Sequence, residues 1–600
     1  MGFFGNLDSE SYDRKYTDRQ LIQRMINYFK NYFRRLLILS GLILFIGITG
    51  AAGPLLLGWG VDLVRNDPST ATVLRLFGVI LTANILSWSA NWLRRRITVR
   101  LVADVSLQLR HEAFSAVVRH DLSFYDEQST GKVQSRITSD TEEFGKVVVL
   151  VTDTFGQMVQ ALILVVILFT IDWKLTSVLL IFLPIVFFAA TAFRNAARYV
   201  TRNGMRAMAN VNASIKETVS GIAVAKNFRQ ESEIYKDFET ANISSYNVNI
   251  RRGFVLSMVF PTLNALSGVA TALLVYGGGL SAAAGAISSG AWYLFIQSLG
   301  RFFDPVVNLS AFWTQIQGGL SAAERVFALI DAKSAVNQRD NKRILALRGD
   351  IIFSKVNFHY SDRQKVLKEF SLHIRPGETV ALVGHTGAGK SSIAKLLARF
   401  YEFQEGEITI DGQDIRDLNL TTYRSQLGIV SQQPFLFAGT IAENICYACP
   451  GDSAHGLMEQ IARQIGDGEW LDALPDGLNT MVGERGGWLS MGQRQLVSLM
   501  RVLVQQPAIF ILDEATASVD PFTEYQIQQA LKLILDRTTS ILIAHRLSTV
   551  KAADRIIVLE NGSIIQEGSH DQLMATGGHY ATLYETYFRH QSLDYRPDGV

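Results

Sequence analysis

Cysteine is nearly absent, with Cys446 and Cys449 the only two in 600 residues. That excludes a disulfide-stapled fold, and a lone C-x-x-C with no second ligand pair excludes a zinc ribbon. The two thiols are expected to be incidental residues of a reducing compartment rather than a redox centre. Excess charge is lacking too: 57 Lys and Arg against 55 Asp and Glu leave +2. This gives no case for a nucleic-acid partner. No apolar core follows Met1, so no cleavable signal peptide is expected. Asn6 stands where an N-myristoylation site carries Ser or Thr.

What the sequence has in quantity is apolar surface. Hydrophobic residues make up 48 % of the chain, mean hydropathy is +0.15, and the apolar residues concentrate before residue 325. The length is too great for one core. Thr17 and Gln20 have capping-box spacing, and Leu21, Ile22, Met25, Ile26, Phe29 and Phe33 share one face opposite basic residues. This predicts an elbow helix over about 17–35 that lies on a membrane surface. Uncharged runs near the roughly 17 to 25 residues needed to cross hydrocarbon predict six spans, at about 36–61, 73–95, 147–171, 174–195, 253–277 and 288–316. The last two come from dividing the uncharged run Gly253 to Gly300, with the turn expected at Gly277-Gly278-Gly279 and the small residues that follow.

Arg34 and Arg35, Arg94 to Arg96, Arg194 to Arg206, and Arg251 and Arg252 fall on one side of these spans. The positive-inside rule then places both termini in the cytoplasm. Segments 97–145 and 197–250 keep helical periodicity, so the membrane helices are expected to continue beyond the bilayer. Arg301 and Asp304 stand at i, i+3 in the last span, with Arg301 about 20 Å along it at 1.5 Å per residue. They read either as a local ion pair or as cavity charges. Asn84 and Asn91 are expected to hydrogen-bond between helices. The membrane domain thus covers 1–331 and is followed by a charged linker, 332–348.

From 349 to 590, ahead of a short tail at 591–600, strand-like and helical runs alternate in an α/β pattern. Val380 to Val383 enter a loop fitting G-x-x-x-x-G-K-[ST]: Gly384, His385, Thr386, Gly387, Ala388, Gly389, Lys390, Ser391, with Ser392 next. Backbone N–H groups at such a loop and helix start hold phosphate, Lys390 adds a point charge, and the Ser391 hydroxyl suits Mg²⁺. Three further strand ends carry matching chemistry. Asp513 could hold Mg²⁺ and Glu514 polarise an attacking water; His545 could contact the γ-phosphate; Gln432 could reach Mg²⁺ or its water. Tyr360 could stack on adenine. Ser490, Met491, Gly492 and Gln493 precede a helical run and form a second phosphate-suited helix start, one that would serve a nucleotide held by another subunit.

Taken together, these motifs resemble the ATP-binding cassette (ABC) exporters of the bacterial half-transporter type, such as lipid A flippases and multidrug exporters. The match runs through an aromatic A-loop at Tyr360, Walker A at Gly384 to Ser391, the Q-loop at Gln432, and Val482-Gly483-Glu484-Arg485-Gly486. It continues with the signature at Leu489 to Gln493, Walker B at Asp513, the catalytic Glu514, the D-loop Asp520 and the switch His545. Phe124, Gly131, Arg136, Asp140 and Gly221 match intracellular loops whose coupling helices dock on the cassettes. The resemblance implies an all-α six-helix transmembrane domain fused to an α/β P-loop ATP-binding cassette domain. It also implies Mg²⁺ and two ATP molecules sandwiched in a dimer of half-transporters, with export or flipping of a lipid or drug-like substrate by alternating access from a bacterial cytoplasmic membrane. Met491 departs from the usual Leu-Ser-Gly-Gly-Gln. Homodimer and heterodimer with one degenerate ATP site both stay open, as does a membrane-anchored ATPase that regulates or gates a channel.

Overall fold

The computed structural model describes residues 16–336, 338–344, 346–360, 365–448, 454–513, 519–544 and 546–588. The chain divides into two compact units, Met1–Arg119 with Ser129–Ala332, and His120–Gln128 with Lys333–Val600.

In chain order the helices up to the linker are α1 (Asp18–Lys30), α2 (Phe33–Asn66), α3 (Thr70–Arg119), the short α4 (Leu122–Glu127), α5 (Thr130–Ile171), α6 (Trp173–Ser220), the short α7 (Ile222–Phe228), α8 (Glu231–Ala283) and α9 (Ser289–Ile330). A π-turn at Arg136–Asp140 interrupts α5. At the start of α1, Thr17 accepts from the Gln20 N–H while the Gln20 side chain accepts from the Thr17 N–H, which satisfies both donors. Among the described residues α2, α3, α5, α6 and α8 are long and apolar enough to cross a membrane; α9 includes side chains outside that set. At 53 residues, α8 extends about 80 Å at 1.5 Å per residue, far more than the roughly 30 Å of a hydrocarbon core.

Small residues let these helices meet. A Cβ on Gly290 would lie 1.9 Å from the Gly58 carbonyl oxygen, so α2 and α9 cross backbone to backbone. Asp62 of α2 then caps α9, accepting from the Gly290 N–H at 2.7 Å and from the Ser288 hydroxyl.

One expectation is narrowed and one corrected here. The break between α8 and α9 falls at 284–288, within the small-residue stretch Ser281 to Gly290 where a turn is expected, while Gly277 to Gly279 stay helical. Gly278 instead makes room for the Trp292 ring, 2.5 Å from where a Cβ would sit, and the Trp292 indole donates to the Leu274 carbonyl. Asn84 and Asn91 bond within α3, Asn84 to the Ile80 carbonyl and Asn91 to the Arg94 guanidinium. A helix offers its own carbonyl or a side chain one turn away, so no second helix is required.

The second unit is α/β. Its strands are β1 (Ile351–His359), β2 (Lys365–Ile374), β3 (Thr379–Val383), β4 (Glu405–Ile410), β5 (Gln413–Asp414), β6 (Leu427–Val430), β7 (Ile509–Asp513), β8 (Thr539–Ile543), β9 (Arg555–Glu560) and β10 (Ser563–Gly568). They form an antiparallel sheet, β2-β1-β4-β5, and a largely parallel one, β10-β9-β3-β8-β7-β6. β3 and β8 are buried throughout, hence their unbroken apolar runs. Phe353, Leu367, Leu382, Ile393 and Ile541 share one core cluster between the sheets. The helices α10 (Lys390–Leu397), α11 (Met491–Gln505) and α12 (Pro521–Leu535) complete the elements that matter for the site. Because β3, β8, β7 and β6 run parallel as neighbours, their carboxyl ends share one edge. Loops leaving that edge form the crevice in which α/β sheets bind ligands.

Candidate active site

β3 delivers the chain to this edge, and the loop from Gly384 to Gly389 turns it into α10. Gly384 has φ +150° and Gly389 φ +102°; a Cβ would lie 2.3 Å from the Leu559 carbonyl oxygen at the first and 2.9 Å from Leu367 Cδ2 at the second. Only glycine fits both the backbone and the space. The first N–H groups of α10, on Lys390 and Ser391, have no intrahelical acceptor and point out of the helix start. Lys390 is buried, and its ammonium donates to the carbonyls of Gly384 at 2.6 Å and His385 at 3.1 Å. Burial pushes the Lys390 pKa below the ordinary lysine value, with the Asp513 carboxylate opposing the shift. His385, Thr386 and Gly387 are exposed, Ala388 and Gly389 buried, Ser391 half-buried and Ser392 buried.

Tyr360 follows β1 and is 47 % exposed, its hydroxyl 2.9 Å from Ser392 Oγ. Its ring meets Phe358 and Tyr401 edge-on, at 4.8 and 5.0 Å between centroids, with the Lys395 ammonium 5.4 Å from its own. Tyr401 escaped the reading of the sequence. Its hydroxyl donates to Asp126 of α4, and burial, with that bond, pushes the phenol well above its usual pKa. No spacing rule links a tyrosine after α10 with an aromatic after β1, so only the fold could pair them.

Asp121 escaped as well, although an Asp ahead of a short apolar helix is a cap signal. It accepts from the Phe124 N–H at 3.3 Å, the Ser334 hydroxyl at 2.7 Å and the Val336 N–H at 2.9 Å, which ties α4 to the start of the linker. Burial raises its pKa, but the bonds from Ser123, Val336, Ser334 and Phe124 outweigh that and hold the carboxyl below the usual range.

Asp513 ends β7, half-buried and in register with Ile543 of β8. Gln432 stands two residues beyond β6 and is exposed. Glu514 and His545, expected next to these strand ends, lie outside the described residues, as does Cys449.

A second helix start lies at α11. Ser490 caps it, accepting from the Gln493 N–H at 3.2 Å while Gln493 Oε1 accepts from the Ser490 N–H. The Ser490 hydroxyl proton is not used by this box. Met491 is 38 % exposed, and its sulfur accepts from Arg494 at 3.7 Å. Asp520 caps α12 through the Thr523 N–H at 2.9 Å, which lowers its pKa.

In the helical unit Arg301 is exposed toward a cavity, and it makes no ion pair or hydrogen bond with a described residue. The Asp304 side chain lies outside the described residues, so the expected pair has only one visible member. Asp140, one of the coupling-loop residues, accepts both Arg325 Nε at 2.9 Å and Nη2 at 2.6 Å.

Comparison with known proteins gives a consistent picture. Residues 36–306 match a family described as the ABC transporter transmembrane region, and residues 367–517 match one described as ABC transporter. The uncharacterized ABC transporter ATP-binding protein YknV of Bacillus subtilis is 37 % identical over 94 % of each chain. An ATP-dependent lipid A-core flippase of Syntrophus aciditrophicus is 34 % identical over 82 % of this chain and 81 % of its own. The solved structure of a bacterial Atm1-family ABC exporter with ATP bound superposes with a TM-score of 0.76 at 26 % identity, covering 92 % of this chain and 99 % of the other.

Proposed function

The chain belongs to the ABC transporter family and is an integral multi-pass ABC ATPase coupled to export; from that premise we propose that it moves a lipid or drug-like amphiphile by alternating access, as a homodimer. In this reading two ATP molecules are sandwiched, each between the P-loop of one subunit and the Ser490 helix start of the other. The observation that carries it is the pair of helix starts, α10 and α11, each with N–H donors free for an anion, on one ATPase unit. Lys390 and the N–H groups at Gly389, Lys390 and Ser391 would hold the β- and γ-phosphates, Tyr360 the adenine, and the partner's copy of the Ser490 hydroxyl the γ-phosphate from across the interface. Glu514 would accept the proton of the water that attacks the γ-phosphorus, ADP leaving in line, and His545 would orient that water.

Mg²⁺ fits the donor set. Ser391, Asp513 and Gln432 supply hard oxygens from neighbouring strand ends, and Mg²⁺ is ordinarily held by one or two protein groups plus substrate phosphates. Bound there, it would neutralise charge on the phosphates.

Dimerisation is favoured by the two coupling segments. α4 belongs to the ATPase unit of its own chain, whereas α7 leaves Val224 63 % and Phe228 65 % exposed. A second subunit's ATPase unit would cover α7. The basic loops put this side in the cytoplasm. The lipid A-core flippase relative makes a lipid a natural first substrate to try. Met491 favours one second reading, a heterodimer with one degenerate site; the retained Ser490 and Gly492 weigh against it.

ATP hydrolysis by the purified full chain in lipid nanodiscs, with its oligomeric state measured on the same sample, tests the proposal. A dimer that hydrolyses ATP, is stopped by chelating Mg²⁺, and loses at least about 100-fold in rate on Glu514→Gln is expected. A monomeric or inactive wild type would overturn the homodimer. If no labelled lipid or drug moves in vesicles on ATP addition, the substrate class is wrong.

A further inference from the structure

Resting on the export reading, we infer that the intramembrane cavity around Arg301 takes the head of an anionic amphiphile, a phosphate or carboxylate carried on an apolar tail. The cavity measures about 440 Å³, and its polar lining is Gln157 and Gln160 of α5, Asn264 and Ser267 of α8, and Arg301 of α9. All of these can donate hydrogen bonds, only Arg301 is charged, and no carboxylate is among the described lining residues. Counted from the ends of α5, α8 and α9 at the α5–α6 and α8–α9 connections, the five side chains stand about 17 to 29 Å along their helices at 1.5 Å per residue. That is the middle and inner part of a hydrocarbon layer about 30 Å thick.

A cation at that depth needs a counter-charge or a polar cavity. The bundle supplies a counter-charge to another inward arginine, since Arg94 Nη1 lies 2.5 Å from Asp153 Oδ1 and its Nε and Nη2 both donate to Asn91. Arg301 is given none among the described residues. Gln160 shares the cavity wall, while its amide packs over Gly50 of α2. An oxyanion in the cavity gives Arg301 its counter-charge through charge-assisted bonds. Phe260, 73 % exposed at the cavity wall, extends the site with apolar surface for a tail. The volume falls within the range of roughly 300 to 1,000 Å³ usual for small-molecule sites.

The test is equilibrium binding to the full-length chain in phosphatidylcholine nanodiscs without nucleotide. The probes are dodecyl phosphate, dodecyltrimethylammonium and inorganic phosphate, and binding is read by native mass spectrometry. Dodecyl phosphate is expected to bind saturably and dodecyltrimethylammonium at least about tenfold more weakly. Arg301→Gln should weaken dodecyl phosphate by at least about tenfold, and Arg301→Lys should recover most of the loss. Arg301→Glu should reverse the preference toward the cationic probe, a gain that misfolded protein cannot mimic. Asp304→Asn should leave or strengthen dodecyl phosphate binding. Equal affinity for the two amphiphiles, no effect of Arg301→Gln, loss of binding in Asp304→Asn, or inorganic phosphate binding as tightly as dodecyl phosphate would each overturn the inference. Binding is measured without ATP, so it is separable from export. ATP-driven lipid movement without the charge preference sinks only this inference, and the charge preference without ATP-driven movement of any amphiphile sinks only the export reading.

Discussion

A methyl group at Gly492 would sit 2.5 Å from Thr523 Cγ2 and 2.9 Å from Val519 Cγ1. Neither neighbour is the end of a flexible side chain, so α11 would have to move away from the start of α12 and from the residue before Asp520. Gly492→Ala is therefore expected to cost roughly 1 to 3 kcal/mol as an overpacked contact. It should lower the melting temperature together with ATP hydrolysis, because the strain falls on the signature helix itself. Unchanged melting and turnover would show that the two helices are free to part. Met491, one residue earlier, is 38 % exposed with its sulfur accepting from Arg494, so a change of size there meets solvent on its open side. The substitution that looks most alarming in the motif stands at its more tolerant position. Sequence reading identified both residues from the motif, but it could not rank them, since the ranking depends on Thr523 and Val519, about thirty positions away.

At the scale of the element, α4 shows how a six-residue helix is held. Its own hydrogen bonds are too few for an isolated helix to persist, and Asp121 supplies bonds to α4 and to residues 334 and 336 of the linker. Asp121→Ala is expected to lower stability by roughly 1 to 2 kcal/mol, as loss of an N-cap does, seen as a lower melting temperature. Because the folded pKa of Asp121 is depressed, its contribution is fully present above the unfolded value of 3.8. It is lost as the pH falls through the lower folded value. The difference between wild type and variant should hence be constant from pH 8 to 5 and shrink only below the usual carboxylate range. A difference that instead vanishes between pH 7 and 5 would exclude Asp121 as its source. Long elements follow a different logic. α8 runs through three consecutive glycines without breaking because the long apolar run before them and the Trp292 ring hold it helical. Glycine is a turn signal only where nothing else claims the space.

For the whole molecule, the decisive surface is α7. Phe228→Asp would place a charge where the proposed homodimer buries an aromatic anchor, and anchors of this kind are worth about 2 kcal/mol or more. The expected outcome is a fall in substrate moved per ATP hydrolysed, measured in vesicles, larger than any fall in ATP hydrolysis itself. Equal transport per ATP in the variant would remove α7 from the coupling path.

The two-part architecture, the membrane runs, the P-loop and the second helix start at Ser490 were all legible in the sequence. Each depends on local chemistry: apolar length for a span, glycine and lysine spacing for a phosphate loop, and a Ser and a Gly ahead of a helical run for the second helix start. Tertiary structure alone decided what depends on distant pairs. It brought Tyr401 under Tyr360 and onto Asp126, crossed α2 and α9 at Gly58 and Gly290, kept Asn84 and Asn91 within their own helix, and turned Arg301 into a cavity lined by donors. No spacing rule reaches across hundreds of residues, because packing between elements is set by shape and by the burial of polar groups rather than by order along the chain.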